Sequence, residues 1–230
     1  MCRGRRADGR APSRARVRGI ILGALTDEPP PSFEFIRDAL PPPPARVLEV
    51  GAGGGELATA LVQVGYEVLA VDPEPQADHV VPVALHELRE PARSFDAAVA
   101  VLSLHHVDPL EESCHVLAEL VRPGGVLVVD EFDVERFDEV AAAWWLARRA
   151  EAGESHEHTP ASLVARMREH LHPLARIEDA LTPAFLLHAP AFGAYLYRWH
   201  LPPAAREAEE RAIAEGRLPA TGARFTAARR

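Results

Sequence analysis

Apolar positions change period along this chain. Over residues 47–50 they form a short continuous run, the pattern of a strand buried on both faces. Over residues 56–64 they recur at helical spacing, as Leu57, Leu61 and Val64. Between the two lie four glycines within five residues. Strand, glycine turn and helix in that order predict the first crossover of a parallel α/β sheet. Further apolar runs predict strands over residues 67–71, 80–84, 97–102 and 126–130. Asp108, Pro109, Glu111 and Glu112 predict a helix start, with a capping acid, proline at N1 and acids in the first turn. That helix is expected to run to Val121, and Pro123-Gly124-Gly125 to turn it into the next strand.

The ends of the chain read differently. A short helix is expected over residues 17–26, and a second one, capped by Ser32, through Leu40. Pro41 to Pro44 form a stiff spacer into the first strand. After residue 130 the pattern predicts helices over 134–151, from Thr159 and Pro160 to about Leu171, and over 203–215. Strands six and seven are placed at 175–181 and 218–227. No internal repeat and no second domain are evident; one domain is expected over residues 17–230, behind a disordered arm at 1–16.

The glycine turn suits a ligand that must touch the backbone. Glycine turns tightly and leaves no Cβ in the way, and the helix start offers unpaired N–H groups. A dinucleotide site prefers G-x-G-x-x-G. Here Gly51-x-Gly53 is followed by Gly54, Gly55 and then Glu56, so the third glycine is missing. Taken alone, the turn leaves the nucleotide readings open.

Four segments together resemble the class I S-adenosylmethionine (SAM) methyltransferases over residues 46–130. Glu49-x-Gly51-x-Gly53-x-Gly55 resembles their first motif, and Val71-Asp72 the acidic end of their second strand. Ser94 to Val99, running into Leu104-His105-His106-Val107, resembles their fourth strand and its exit. Leu120 to Leu127 resembles the turn into their fifth. The likeness is nearest to the small-molecule branch that includes the ubiquinone and menaquinone methylases. It implies a doubly wound, Rossmann-like, seven-stranded and mostly parallel sheet with an antiparallel strand seven, and SAM as cofactor over the carboxyl ends of strands one and two.

The resemblance also implies roles. Gly51, Ala52, Gly53 and Gly55 approach the methionine and ribose part of SAM, and Glu49 holds the loop or the amino group. Asp72, 19 positions after Gly53, offers two carboxylate oxygens to the ribose hydroxyls, with Pro73 beside it. The family often has an acid after strand three to hold the adenine; that position is Ala84 here. Glu87, or backbone groups near Leu85 and His86, would have to take its place. Leu102 and the pair His105 and His106 lie at the exit of strand four. With an ordinary pKa of about 6.5, the two histidines are the candidate general bases, His105 first. The alternative is a structural or cofactor-contact role.

Composition narrows the partners. No apolar run approaches the roughly 18–20 residues that span a bilayer. The apolar residues 20–25 follow arginines without an evident cleavage site, so no leader is read. Two cysteines make no disulfide framework, which points to a reducing cytoplasm. All 25 basic side chains are arginine. Residues 1–19 carry +6 of a net −9, leaving −15 on the rest. An acidic body repels nucleic acid and anionic lipid. A small-molecule acceptor is therefore expected, with no nucleic acid and no membrane partner; oligomeric state is open, a homodimer included.

Other chemistries fit less well. An NAD-dependent oxidoreductase meets Glu56 where the third glycine belongs. A non-catalytic SAM-binding protein stays open. A nucleic-acid methyltransferase lacks the N/D-P-P-Y-type tetrad after strand four. No G-x-S-x-G elbow is present. His156 and His158 have no partner pair for a metal, so no metal is expected. Asp130, Glu131 and Asp133 are expected at the pocket mouth or in solvent. The acceptor is expected among Phe132, Trp144, Trp145, Phe185, Tyr195 and Tyr197, with His105, His106 and His188 as polar groups. The alternative is that these aromatics cement the late helices to the sheet.

Overall fold

A computed structural model describes residues 30–154 and 157–230. The expected arm at 1–16 and the helix at 17–26 lie outside the described residues. The chain first forms α1 (Phe33–Ala39), β1 (Arg46–Val50), α2 (Glu56–Gln63), β2 (Glu67–Asp72) and β3 (Val81–Pro82). It continues through β4 (Phe95–Val101), α3 (Leu110–Leu120) and β5 (Val121–Phe132). Three helices follow, α4 (Glu139–Glu151), α5 (Pro160–His170) and α6 (Leu174–Leu181). The chain ends with β6 (Phe185–Leu187), β7 (Ala191–Gly193), α7 (Ala205–Ala214) and β8 (Gly222–Arg229).

The strands pair in the order β3-β2-β1-β4-β5-β8-β6, with β7 also on β8. From β3 to β5 the pairing is parallel, and β8 runs antiparallel to β5. The short strands β6 and β7 both pair antiparallel with β8. They lie end to end along it, and the His188 N–H between them still donates to Thr226 O at 2.9 Å. Pro190 has no N–H to give, which breaks the edge into two pieces. Counted this way the sheet has the seven positions expected, with its antiparallel member covered by a last, interrupted strand. The order reverses between β1 and β4, the switch point at which such sheets hold ligands.

Both sheet faces are buried, as the continuous apolar runs require. Leu48, Val50, Ala98, Ala100, Leu127 and Val129 pack with α3 and α6. Their neighbours in the pleat, Val47, Ala97, Val99 and Val128, pack with α1 and α2. Side chains alternate across a strand, so each buried acid can be assigned to one face from its register.

Several boundaries depart from expectation. The stretch expected as strand six is the helix α6. Leu174, Ile177 and Leu181 are all buried at spacings of three and four, while Arg176 and Asp179 point outward. The helix expected from residue 134 starts at Glu139, where the Asp138 side chain accepts from Ala141 N at 2.9 Å. The helix expected to be capped by Asp108 has Pro109 at its N-cap and no side-chain cap. Strand five starts early, at Val121, with a register shift between Phe95 and Ala97. The last strand starts at Gly222 rather than 218. Thr159 and Ser162 form a reciprocal capping box with Pro160 at N1, in line with expectation. One buried carboxylate was not foreseen: Glu209 accepts from the backbone N–H groups of Tyr195, Leu196 and Tyr197 at 2.7–2.9 Å. It pins the turn between β7 and α7 to the last helix.

Candidate functional site

The glycine turn leaves β1 folded back over the end of β2. Gly51 and Ala52 both donate to Val71 O, at 2.9 and 3.1 Å. Gly51 has φ +70°, and a Cβ there would lie 2.3 Å from Ser103 Cβ. The turn thus packs directly on the exit of β4, an approach only glycine permits. Gly53 has φ +50°, and its missing Cβ faces open space.

Asp72 holds this turn in place. The Gly53 N–H donates to its Oδ2 at 2.9 Å, and the Glu74 N–H to its Oδ1 at 2.8 Å. Each carboxylate oxygen keeps a further acceptor site. Beside Asp72 opens a cleft of about 380 Å³ between the carboxyl ends of β1, β2 and β4. Of the residues expected from sequence, Gly51, Asp72, Pro73, Leu85, His86, Leu102 and His106 line it. Glu49, Ala52, Gly53, Gly55 and His105 do not. Ala84 lines the cleft where the family acid was expected, and Ser103, Val107 and Ser113 complete the far wall. Neither Ser103 Oγ nor Ser113 Oγ has a partner among the described residues, and both are buried. Unsatisfied buried hydroxyls are uncommon in a settled core.

Glu49 sits behind the turn, 4% exposed, on the face of β1 that carries Val47. Its Oε2 is buried without a hydrogen-bond partner among the described residues. Burial pushes its pKa up to about 8, the nearby Glu56 adds to the rise, and a hydrogen bond from the Ala58 backbone opposes it.

The exit of β4 is strained and tightly tied. Leu102 has φ +52°, and its N–H donates to Asp130 O at 2.8 Å. A non-glycine residue there costs about 1–3 kcal/mol and persists only when its surroundings hold it. The Glu131 carboxylate does much of the holding. Its Oε1 accepts from Ser103 N at 2.9 Å and Leu104 N at 2.6 Å, and its Oε2 pairs with His105 Nδ1. Both side chains of that pair are buried.

The two histidines therefore divide. His105 is locked behind the cleft wall, its ring 4.3 Å from that of His106. His106 reaches the cleft and is exposed at its mouth. This reverses the expectation that His105 faces the pocket first. Local desolvation pulls the pKa of His106 below the usual histidine range, helped by the neighbouring His105 and opposed by Glu131. A neutral imidazole at the cleft can accept a proton near neutral pH.

Two other expectations change. Asp130, Glu131 and Asp133 are buried rather than at a mouth or in solvent, at 2%, 0% and 6% exposure. The aromatics expected around an acceptor are mostly core. Phe132 stacks on Tyr195 at 4.5 Å and Trp145 on Trp199 at 4.3 Å, within one cluster that also holds Phe137. Phe185 belongs to the core between the sheet, α3 and α6. His188 is exposed and bonds Thr226. Sequence reasoning missed the role of Glu131. The available signal was an acid pair breaking an otherwise apolar strand, Val126 to Phe132. Among the described residues no group of three metal-ligating side chains gathers, and no helix is long and apolar enough to cross a membrane. His156 lies outside the described residues.

Residues 28–170 match the family model described as a methyltransferase domain. An uncharacterized methyltransferase of Mycobacterium bovis is 37% identical over 109 residues, 43% of each chain, so this chain spans under half the length of that relative. The ubiquinone biosynthesis O-methyltransferase of Xanthomonas axonopodis pv. citri is 31% identical over 163 residues, 60% of this chain and 67% of that one. The fold is that of Haemonchus contortus phosphoethanolamine N-methyltransferase 2, solved in complex with S-adenosyl-L-methionine. The two superpose with a TM-score of 0.57 at 13% identity over 85% of this chain and 51% of the other.

Proposed function

The chain belongs to the methyltransferase-domain family, and on that premise we propose that it transfers a methyl group from SAM to a small-molecule acceptor by in-line displacement. One observation carries the reading: the Asp72 carboxylate ties the glycine turn at Gly53, is fixed by the Glu74 N–H, and lines a cleft at the sheet's switch point. An acid so placed suits the hydroxyls of a ribose. The residues fit the cofactor in other ways. The turn leaves open space over Gly53, and behind it the buried, unpartnered Glu49 oxygen belongs to a carboxyl near Glu56 and Ala58 at the start of α2. When bound, SAM supplies an electrophilic methyl group on a good leaving group.

The protein's own residues do the rest. Asp72 and Pro73 hold the sugar side, and Ala84, Leu85 and His86 flank the base. Leu102 and Ser103 form the wall where an acceptor must meet the cofactor. Alignment of two reactants contributes about 7–11 kcal/mol in favourable cases. His106 takes the proton of a hydroxyl or amine acceptor at its free ring nitrogen. Such a base adds about 10²–10⁴-fold. His105 and Glu131 act as positioning residues that fix the strand exit. One relative is named for O-methyl transfer, a reaction in which an acceptor hydroxyl gives up its proton.

Isothermal calorimetry with SAM, S-adenosylhomocysteine and NAD tests the reading. The two sulfur ligands are expected to bind and NAD is not. NAD binding without SAM binding would reverse it in favour of an oxidoreductase.

A further inference from the structure

The base assigned above is held by a residue that does not itself line the cofactor cleft. His106 reaches the cleft from one short turn after β4, Leu104–His106. Its ring has no hydrogen-bond partner among the described residues and leans on the ring of His105, 4.3 Å away. Its direction is therefore set by that ring and by its own backbone. Within the turn, the His106 N–H donates to Ser103 O at 3.0 Å and the Val107 N–H to Leu104 O at 3.2 Å. The carbonyls of His105 and Val107, on either side of His106, take donors from outside the turn.

Both donors belong to His172. Its backbone N–H donates to His105 O at 2.9 Å. Its ring Nε2 lies 2.9 Å from Val107 O, and its Nδ1 lies 3.2 Å from Arg176 Nη1. A carbonyl only accepts, and a guanidinium only donates. The two contacts thus call for one tautomer, with the proton on Nε2 and the Nδ1 lone pair facing the arginine. Arg176 is fixed in turn, because its Nε and Nη2 donate to Glu111 Oε1 on α3 at 3.2 and 3.1 Å. The mount is rigid as well. His172 lies between α5 and α6, where Leu171 packs in the cluster of Phe132 and Leu174 in the core beneath α6. Packed interiors deform little.

We propose that His172 is a positioning residue for methyl transfer: by holding the carbonyls on both sides of His106 it aims that imidazole at the acceptor. The inference rests on the reading of His106 as the general base. Such a base must lie within hydrogen-bond reach of the proton it takes, and a misplacement of about 1 Å can cost roughly 10²-fold. Substitution at residue 172 removes the ring bond to Val107 and keeps the backbone bond to His105. The far end of the turn is then released, and the base with it.

The test is methyl transfer from labelled SAM to the metabolite fraction of a cell extract, with the full chain at saturating SAM. H172F fills the space of the ring without a donor, and H172Q places an amide N–H where Nε2 lies. H172F is expected to lower the rate about 10–100-fold, and H172Q to keep it within about three-fold. Adding H172F to H106A should change the H106A rate by less than about two-fold, because both residues act through one group. A general loss of structure would multiply the two losses instead. An unchanged rate in H172F, no rescue by H172Q, or multiplied losses in the double variant would overturn the inference. NMR of the ring nitrogens of the unaltered chain covers the case in which H172F does not fold. His172 should carry its proton on Nε2, and a proton on Nδ1 would overturn the inference. No transfer by the unaltered chain, or full transfer by H106A, would overturn the underlying reading instead, and those arms are read separately.

Discussion

Replacing Glu49 with glutamine should stabilise the protein, increasingly so as pH rises. The side chain is 4% exposed, has a buried oxygen without a partner, and has its pKa pushed up to about 8 from an ordinary 4.5 by burial and by Glu56. Between those values the folded chain holds a proton that the unfolded chain has released. Stability then falls as pH rises through that window, because the folded state binds more protons. Below pH 4.5 both states are protonated, and above about 8 both are ionised, so the loss is confined to the interval. Each pH step of one across that interval removes about 1.4 kcal/mol, so the full loss is roughly 3–5 kcal/mol. Glutamine keeps the shape and cannot ionise. The melting temperature of E49Q should match wild type near pH 5 and exceed it at pH 8.5. For a domain of this size, about 1 kcal/mol is about 2–4 °C, which gives a gap of roughly 6–20 °C. Thermal melts of the ligand-free protein from pH 5 to 9 measure it. Parallel curves for the two proteins would refute the argument, since they would mean that Glu49 ionises in the folded state as it does in water.

Three further outcomes are expected. D72A should weaken S-adenosylhomocysteine by roughly 10–100-fold in calorimetry and lower the melting temperature, because the carboxylate also holds Gly53 N and Glu74 N; unchanged affinity in a folded variant would make Asp72 a loop anchor only. H106A should lower turnover of a hydroxyl or amine acceptor by about 10²–10⁴-fold at saturating SAM. Because the pKa of His106 is lowered, the acid limb of the wild-type pH–rate profile should fall below the usual histidine range, and H106A should lose that limb. F132A should cost roughly 3–5 kcal/mol in denaturant unfolding, since Phe132 is 1% exposed against Tyr195 and Phe137; normal stability with lost turnover would return Phe132 to the pocket.

Much of the sheet was legible because parallel strands are buried on both faces and read as unbroken apolar runs. β1, β2 and β4 lie within two residues of where that signal puts them, and the glycine turn marks the switch point. The signal failed at α6. There a strand length of apolar-rich sequence hides a helical stripe, and only the spacing of Leu174, Ile177 and Leu181 separates the two. The site was legible where one residue type answers one need: glycine for close approach to Ser103, an acid at the end of β2. It was illegible where function depends on which face a side chain takes. His105 and His106 are adjacent in sequence, yet one is locked by Glu131 and the other opens on the cleft. The same holds for Asp130 and Glu131, adjacent acids on opposite faces of β5 that serve two different networks. Register decides such cases, and register follows from the whole sheet.

The most direct test of methyl transfer to a small molecule uses SAM labelled in its methyl group. The purified full chain is incubated with it and a cell extract split into metabolite, protein and RNA fractions. Label is expected in the metabolite fraction, with transfer reduced about 10²-fold or more in H106A. Label confined to protein or RNA, or no transfer despite SAM binding, would contradict methyl transfer to a small molecule.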